Sequence, residues 1–207
     1  DWFTNWQMNY ALYRPLLSFC RDNQIPVIAL NAPKSLVRKV GRTPLTELPE
    51  EISAQLPELD FQDPYQRAMA ESIFSDHSMG KAKSDGFIRV QTLWDESMAD
   101  NLATYLLSPE GKERQVLVVA GGNHVRYGFG IPRRLHRRLP VSYLLIGSRE
   151  IDIPEEREAQ LMDVKMPRFP MLSWDYLKLT SYEKVESGVK LGVAIDDAPQ
   201  GVLIKMV

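Results

Sequence analysis

Only three histidines occur in this chain, and His124 alone among them follows an apolar run and sits in a glycine-rich loop, Gly121-Gly122-Asn123-His124. An imidazole that is largely neutral near pH 7 can ligate a metal or take up a proton, so chemistry is assigned to His124 first. Arg126 and Tyr127 follow closely. A tyrosine phenolate is a hard oxygen donor, and a neighbouring cation favours its ionised form. Gln91 and Asp95 stand four residues apart, a spacing that brings both to one face of a helix. With Asn31, these residues make the candidate site: His124, Tyr127, Arg126, Asn31, Gln91 and Asp95, with His124 and Tyr127 as the metal ligands. The plainer alternatives are a loop histidine bonded to backbone and a tyrosine ring packed beneath the loop. Arg133, Arg134, Arg137 and Arg138 with His136 form a dense cationic segment, for which a solvated basic face is the simplest reading.

These residues need elements to hold them. Gln115–Ala120 is a short apolar run that stops at Gly121, where a buried parallel strand would end. Pro132 suits the first turn of a helix, where its missing N–H costs nothing. Val141–Ile146, closed by Gly147, reads as the next strand, so residues 115–147 form a strand–helix–strand unit with a right-handed crossover. Pro26–Leu30 reads as another buried strand, and Asn31 as the N-cap of a helix through Val40. In open α/β sheets ligands lie beyond the carboxyl ends of the strands. That rule places Asn31 and His124 around one cleft with Gln91 or Asp95.

Elsewhere the pattern predicts an amphipathic helix from Trp2 to about Arg21, kinked or divided at Pro15, and helices over 64–77 and 85–107. Residues 42–63 read as a loop-rich excursion with one helical turn and Leu161–Met166 as a strand. Residues 189–195 and 201–207 read as two terminal strands. The fold class is α/β, a mainly parallel central sheet flanked by helices, with its N-terminal strand missing and a truncated β appendage at the C-terminus. The expected domains are 1–175 and 183–207.

Composition bounds the alternatives. The 207 residues are 44% hydrophobic and 25% charged, with a formal net charge of −2, so no electrostatic case exists for nucleic acid as partner. No apolar run approaches the roughly 20 residues of a membrane span. Cys20 is the only cysteine, which makes an internal disulfide impossible, and it reads as a packing residue on a helix. Leu17-Ser18-Phe19-Cys20 superficially resembles a lipoprotein cleavage box, but Phe19 is too large for its position. Walker-type phosphate loops, G-x-S-x-G elbows and Cys/His zinc clusters are absent from the sequence.

Three blocks in register resemble the haem-binding uptake family of the ChaN type, related to the Tiki and erythromycin-esterase-like proteins. They are Tyr13-Arg-Pro-Leu-Leu with Val27-Ile-Ala-Leu-Asn-Ala-Pro, Gln91-Thr-Leu-Trp-Asp-Glu-Ser-Met-Ala, and Gly121-Gly-Asn-His-Val with Gly130-Ile-Pro-Arg-Arg-Leu. The closing Lys190-Leu-Gly-Val and Gly201-Val-Leu-Ile are similar to the opening strands of a PDZ domain.

The resemblance implies binding of haem or an iron porphyrin in iron acquisition by an extracytoplasmic bacterial protein, periplasmic or a membrane-anchored lipoprotein. A binding protein is favoured over an enzyme. The family's opening Gly-Glu-x-His-type strand has no match here and is expected upstream of Asp1, as is any lipid anchor. Within this reading Tyr127 is expected as the principal axial ligand, with His124 hydrogen-bonding the phenolate and Tyr10, Tyr13 and Tyr65 as competitors. One or two arginines of 133–138 would meet propionates, and Gln91 and Asp95 would wall the site. The alternatives are a divalent-metal-dependent hydrolase using His124 and a PDZ-type protein that captures peptides. The exposed edge at Val202–Val207 is expected to pair with a second copy as a homodimer.

Overall fold

The structure, a computed structural model, describes residues 8–75, 81–158, 166–183, 194–198 and 201–206. The chain forms two compact units, Ile28–Tyr182 in one and Asp1–Val27 with Glu183–Val207 in the other.

In the smaller unit a 3-10 turn at Tyr10–Leu12 leads into helix α1, Arg14–Asp22. Pro15 divides the run rather than kinking it, the 3-10 turn stopping at Leu12 and the helix starting at Arg14. Pro15 occupies the first turn, where proline's fixed φ is pre-set for helix and no N–H is missed. Cys20 lies half-buried on α1.

The larger unit is built on helices α2 (Lys34–Arg42), α3 (Glu50–Ser53), α4 (Pro64–Ser75) and the long α5 (Lys81–Leu107). Pro33, not Asn31, stands at the N-cap of α2, while the Asn31 side chain accepts a hydrogen bond from the Ala32 N–H. Leu36 and Val40, four apart on α2, pack with Ile52 and Leu93. The α2–α5 crossing is close enough that a Cβ on Gly86 would lie 2.5 Å from the Gly41 carbonyl oxygen. Arg89 seals the end of α2 by donating to the carbonyls of Val40 and Gly41. Along α5 the run from Gln91 to Ala99 is buried apart from Trp94, and Asp95 and Glu96 lie within it.

After α5 come a short helix α6 (Gly122–Val125), a 3-10 turn at Arg126–Gly128, and α7 (Ile131–Arg138), which has its proline in the first turn as expected. α7 packs on α5 through Ile131 and Leu135 against Met98, Ala99, Leu102 and Ala103. Strand β1 (Ile146–Ile151) is followed by a helical turn, α8 (Glu155–Glu158), and by β2 (Tyr176–Ser181). β1 and β2 pair in parallel from Ile146↔Tyr176 to Ile151↔Ser181.

The chain is broadly α/β, but a mainly parallel central sheet overstates it, since the described parallel sheet has two strands. Pro26–Leu30, Gln115–Ala120 and Val141–Leu145 are not strands. They carry no regular secondary structure, and the strand assigned to Val141–Ile146 begins only at Ile146 and passes through Gly147. Leu30, Val118, Ala120 and Val141 cover the α5–α7 core, whereas Leu117 is 76% exposed and Val27 63%. Apolar alternation dictates which side of a run is buried, but it does not supply the neighbour that completes a ladder. The Leu161–Met166 strand falls outside the described residues apart from Met166, as do 189–193 of the first terminal run. Of that terminal pair the structure describes β3 (Ala194–Ala198) and β4 (Gly201–Met206), an antiparallel hairpin. Among the described residues no helix is long and apolar enough to cross a membrane.

Candidate functional site

The site begins with a carboxylate that α5 carries into the interior. The Asp95 side chain is fully buried, and a buried carboxylate is tolerated only when hydrogen-bonded. Its Oδ1 accepts from His124 Nδ1 at 2.6 Å, and its Oδ2 accepts from Gln66 Nε2 at 2.8 Å. Gln91 Nε2 lies 3.1 Å from His124 Nδ1 and 3.5 Å from Asp95 Oδ2. The imidazole N–H and the amide N–H cannot donate to each other. The carboxylate, the stronger acceptor, therefore takes the Nδ1 proton and also receives the Gln91 amide. This assigns His124 the tautomer whose Nε2 lone pair is free, and Nε2 has no hydrogen bond to a described residue.

The loop is shaped for this contact. A Cβ on Gly130 would lie 2.2 Å from the His124 carbonyl oxygen and 3.1 Å from Asp95 Oδ2, so only glycine lets the α7 entrance approach this closely. The imidazole side chain keeps 19% of its surface exposed and meets the Trp94 ring edge-on at 5.9 Å. Gln91 and Asp95 are thus buried residues that meet His124, rather than helix surface. Asn31 is exposed, its side chain turned to its own turn, and no hydrogen bond or ion pair joins it to His124 among the described residues.

Tyr127 has a left-handed backbone, φ 59°, held by its N–H donating to the Ser173 carbonyl. Its ring stacks on Phe129 at 5.4 Å and meets Phe169 edge-on at 4.9 Å. Arg126 lies half-buried over the Tyr127 and Trp174 rings, 5.7 and 6.0 Å from their centroids. Tyr65 joins the same aromatic cluster by stacking on Phe129 at 5.3 Å.

The cationic helix departs from the solvated face expected of it. Arg134 is 3% exposed and its Nε lies 3.0 Å from Glu96 Oε1, a carboxylate that is itself fully buried. Arg138 Nη1 reaches Glu96 Oε2 at 2.6 Å and Arg137 Nη2 at 3.2 Å, so three guanidinium groups surround one carboxylate. Asp60 pairs with Arg137, Asp63 with Arg133 and Asp100 with Arg138. A cavity of about 260 Å³ opens among Asp60, Asp63, Arg133, Arg134, His136 and Arg137; His124 does not line it.

Sequence reasoning missed Glu96, Gln66, Asp60 and Asp63. The available signal was that Arg134 and Arg138 stand four apart beside the apolar Ile131 and Leu135, on the face that must turn inward. Arg134 also donates to Gln66 Oε1, which orients that amide with its N–H toward Asp95. A continuous chain of polar contacts therefore runs Arg134–Gln66–Asp95–His124.

Among the described residues no group of three or more His, Cys, Asp or Glu side chains is arranged to hold a metal ion. The donor set suits a cofactor that brings most of its own ligands: one imidazole nitrogen is free and its partner nitrogen is fixed by a carboxylate.

Residues 1–135 match the model of a family described as haem-binding uptake, Tiki superfamily, ChaN. The protein RETICULATA-RELATED 5, chloroplastic, of Arabidopsis thaliana is 26% identical over 145 residues, covering 65% of this chain and 20% of that protein. This chain thus spans about a fifth of the length of the curated relative it matches. No solved structure matches it. With the family model covering well over half of the sequence, the chain belongs to the haem-binding uptake family, ChaN, of the Tiki superfamily.

Proposed function

We propose that this chain binds an iron porphyrin in an iron-acquisition role, with the His124 imidazole as the protein's donor to iron. The observation that carries the reading is the Asp95–His124 contact at 2.6 Å. A ligating histidine characteristically donates its other N–H to a carboxylate or carbonyl, which fixes the tautomer and the ring orientation. A porphyrin supplies four nitrogen donors to its iron, so a single axial side chain suffices. Gln66 and Gln91 keep Asp95 in place, and Trp94 walls the imidazole. Tyr127 is the alternative donor; the packing of its ring on Phe129 and Phe169 makes it the second choice.

The test is a titration with ferric haem followed at the Soret band, for wild type, His124→Ala and Tyr127→Phe. Saturable binding with a Soret shift that His124→Ala abolishes and Tyr127→Phe leaves unchanged is the expected result. The reverse pattern would transfer the axial role to Tyr127, and no saturable binding by wild type would overturn the reading.

A second reading, metal-dependent hydrolysis, draws on the same pair, because a carboxylate-oriented imidazole is also the form of a general base. Hydrolysis of an ester or peptide that depends on added divalent metal, in a protein that ignores haem, would favour it. We also propose an extracytoplasmic location. The Arabidopsis relative is named chloroplastic, so the competing outcome of fractionation is a plastid-type compartment. The β3–β4 hairpin has edges that suit strand addition, which motivates peptide capture or self-pairing there. Gel filtration with and without an extended peptide tests both.

A further inference from the structure

Arg126 differs from the other arginines around the site. Those of α7 all have carboxylate partners. Arg126 has no ion pair among the described residues, and its Nε is buried without a hydrogen-bond partner. A guanidinium taken partly out of water loses hydration that something must replace. The Tyr127 and Trp174 rings, 5.7 and 6.0 Å away, stabilise the cation through their faces. Neither ring offers an acceptor to the N–H groups lying in the guanidinium plane, and those groups are shaped to bind a carboxylate.

The surroundings hold this arrangement in place. The left-handed Tyr127 backbone is pinned by the Ser173 carbonyl, and Trp174 follows Ser173 directly. The Trp174 ring also lies 3.9 Å from where a Gly122 Cβ would be, beside the turn that carries His124. A Cβ on Gly147 would fall 2.5 Å from that indole, so β1 needs glycine there to admit it. Backbone strain in a non-glycine residue beside a candidate site is the kind of feature that surrounding structure keeps in place for function.

We infer that Arg126 anchors a carboxylate of the bound ligand beside His124. That the carboxylate is a porphyrin propionate rests on the haem reading above. His124 would then bind the ligand at its metal and Arg126 at its edge.

The test separates the edge contact from iron ligation by using an iron-free porphyrin. Deuteroporphyrin IX and its dimethyl ester are titrated by tryptophan quenching into wild type, Arg126→Met and Arg126→Lys. Wild type should bind the diacid at least about tenfold more tightly than the diester, the scale of one charge-assisted hydrogen bond. Arg126→Met should bring the diacid down to the level of the diester and leave the diester unchanged, and Arg126→Lys should fall between. Acid and ester weakened equally by Arg126→Met would make the residue structural and overturn the inference, as would a wild type indifferent to esterification. Either result leaves haem binding standing. A wild type that takes up neither iron-free porphyrin would overturn the inference as well; ferric haem still bound by that protein would leave the haem reading standing, and ferric haem unbound would sink that reading too.

Discussion

Asp95 and Gln66 work through their hydrogen bonds rather than through their size. Asp95→Asn keeps the shape of the side chain but weakens the acceptor of the His124 N–H, so the imidazole loses its fixed tautomer. Affinity for ferric haem should fall by about 10- to 100-fold, the usual effect of losing such an outer partner, and titration of the folded variant checks it. Gln66→Leu leaves Asp95 Oδ2 with only the longer Gln91 contact and strands an Arg134 N–H. Urea denaturation should show a loss of about 1–3 kcal/mol, with haem affinity falling alongside. If stability drops but the Soret titration is unchanged, the polar chain from Arg134 serves the fold alone. His124 and its neighbours at 126 and 127 were legible from residue type in a glycine loop. Gln66 was not, because a glutamine near a helix start carries no sequence sign of a partner 29 positions away.

At the scale of elements, the α5–α7 contact joins two sites with opposite charge logic. Asp95 and Glu96 are neighbours on α5, yet one faces an imidazole and the other three arginines. Glu96→Ala removes the common anion and leaves the buried Arg134 without its counter-charge, a loss of about 3–5 kcal/mol to be read from chemical denaturation. A loss below roughly 1 kcal/mol, the range of exposed pairs, would mean that Asp60 and Asp100 carry the cluster. Gly130→Ala inserts a methyl against the His124 carbonyl and should cost about 1–3 kcal/mol as an overpacking defect. The longer helices, α1, α2, α4, α5 and α7, could be read from apolar spacing and proline position, whereas the four-residue α6 and α8 could not. Of the strands, the terminal run at 201–207 was legible as β4, but Pro26–Leu30 and Gln115–Ala120 have the apolar composition of strands without a described neighbour to pair with. A run of arginines looks like a solvated face until the buried carboxylate opposite is known, and Glu96 lies 38 positions before Arg134.

For the whole molecule, the outward sides of the irregular runs leave apolar surface in water. Leu117 and Val119 are exposed while Val118 and Ala120 cover the core. Replacing Leu117 and Val119 by lysine should reduce self-association at high concentration, seen by light scattering, with little change in the unfolding midpoint. A marked fall in stability would show that these side chains are already covered. The account as a whole rests on His124 Nε2 being the donor that Asp95 prepares, and a rescue experiment tests that most directly. His124→Gly opens a space where free imidazole can stand in for the lost ring. Ferric haem added to this variant should not show the wild-type Soret position until imidazole is supplied, and Asp95→Ala on the same background should weaken that rescue. A His124→Gly variant whose haem spectrum equals that of wild type without imidazole would contradict the account.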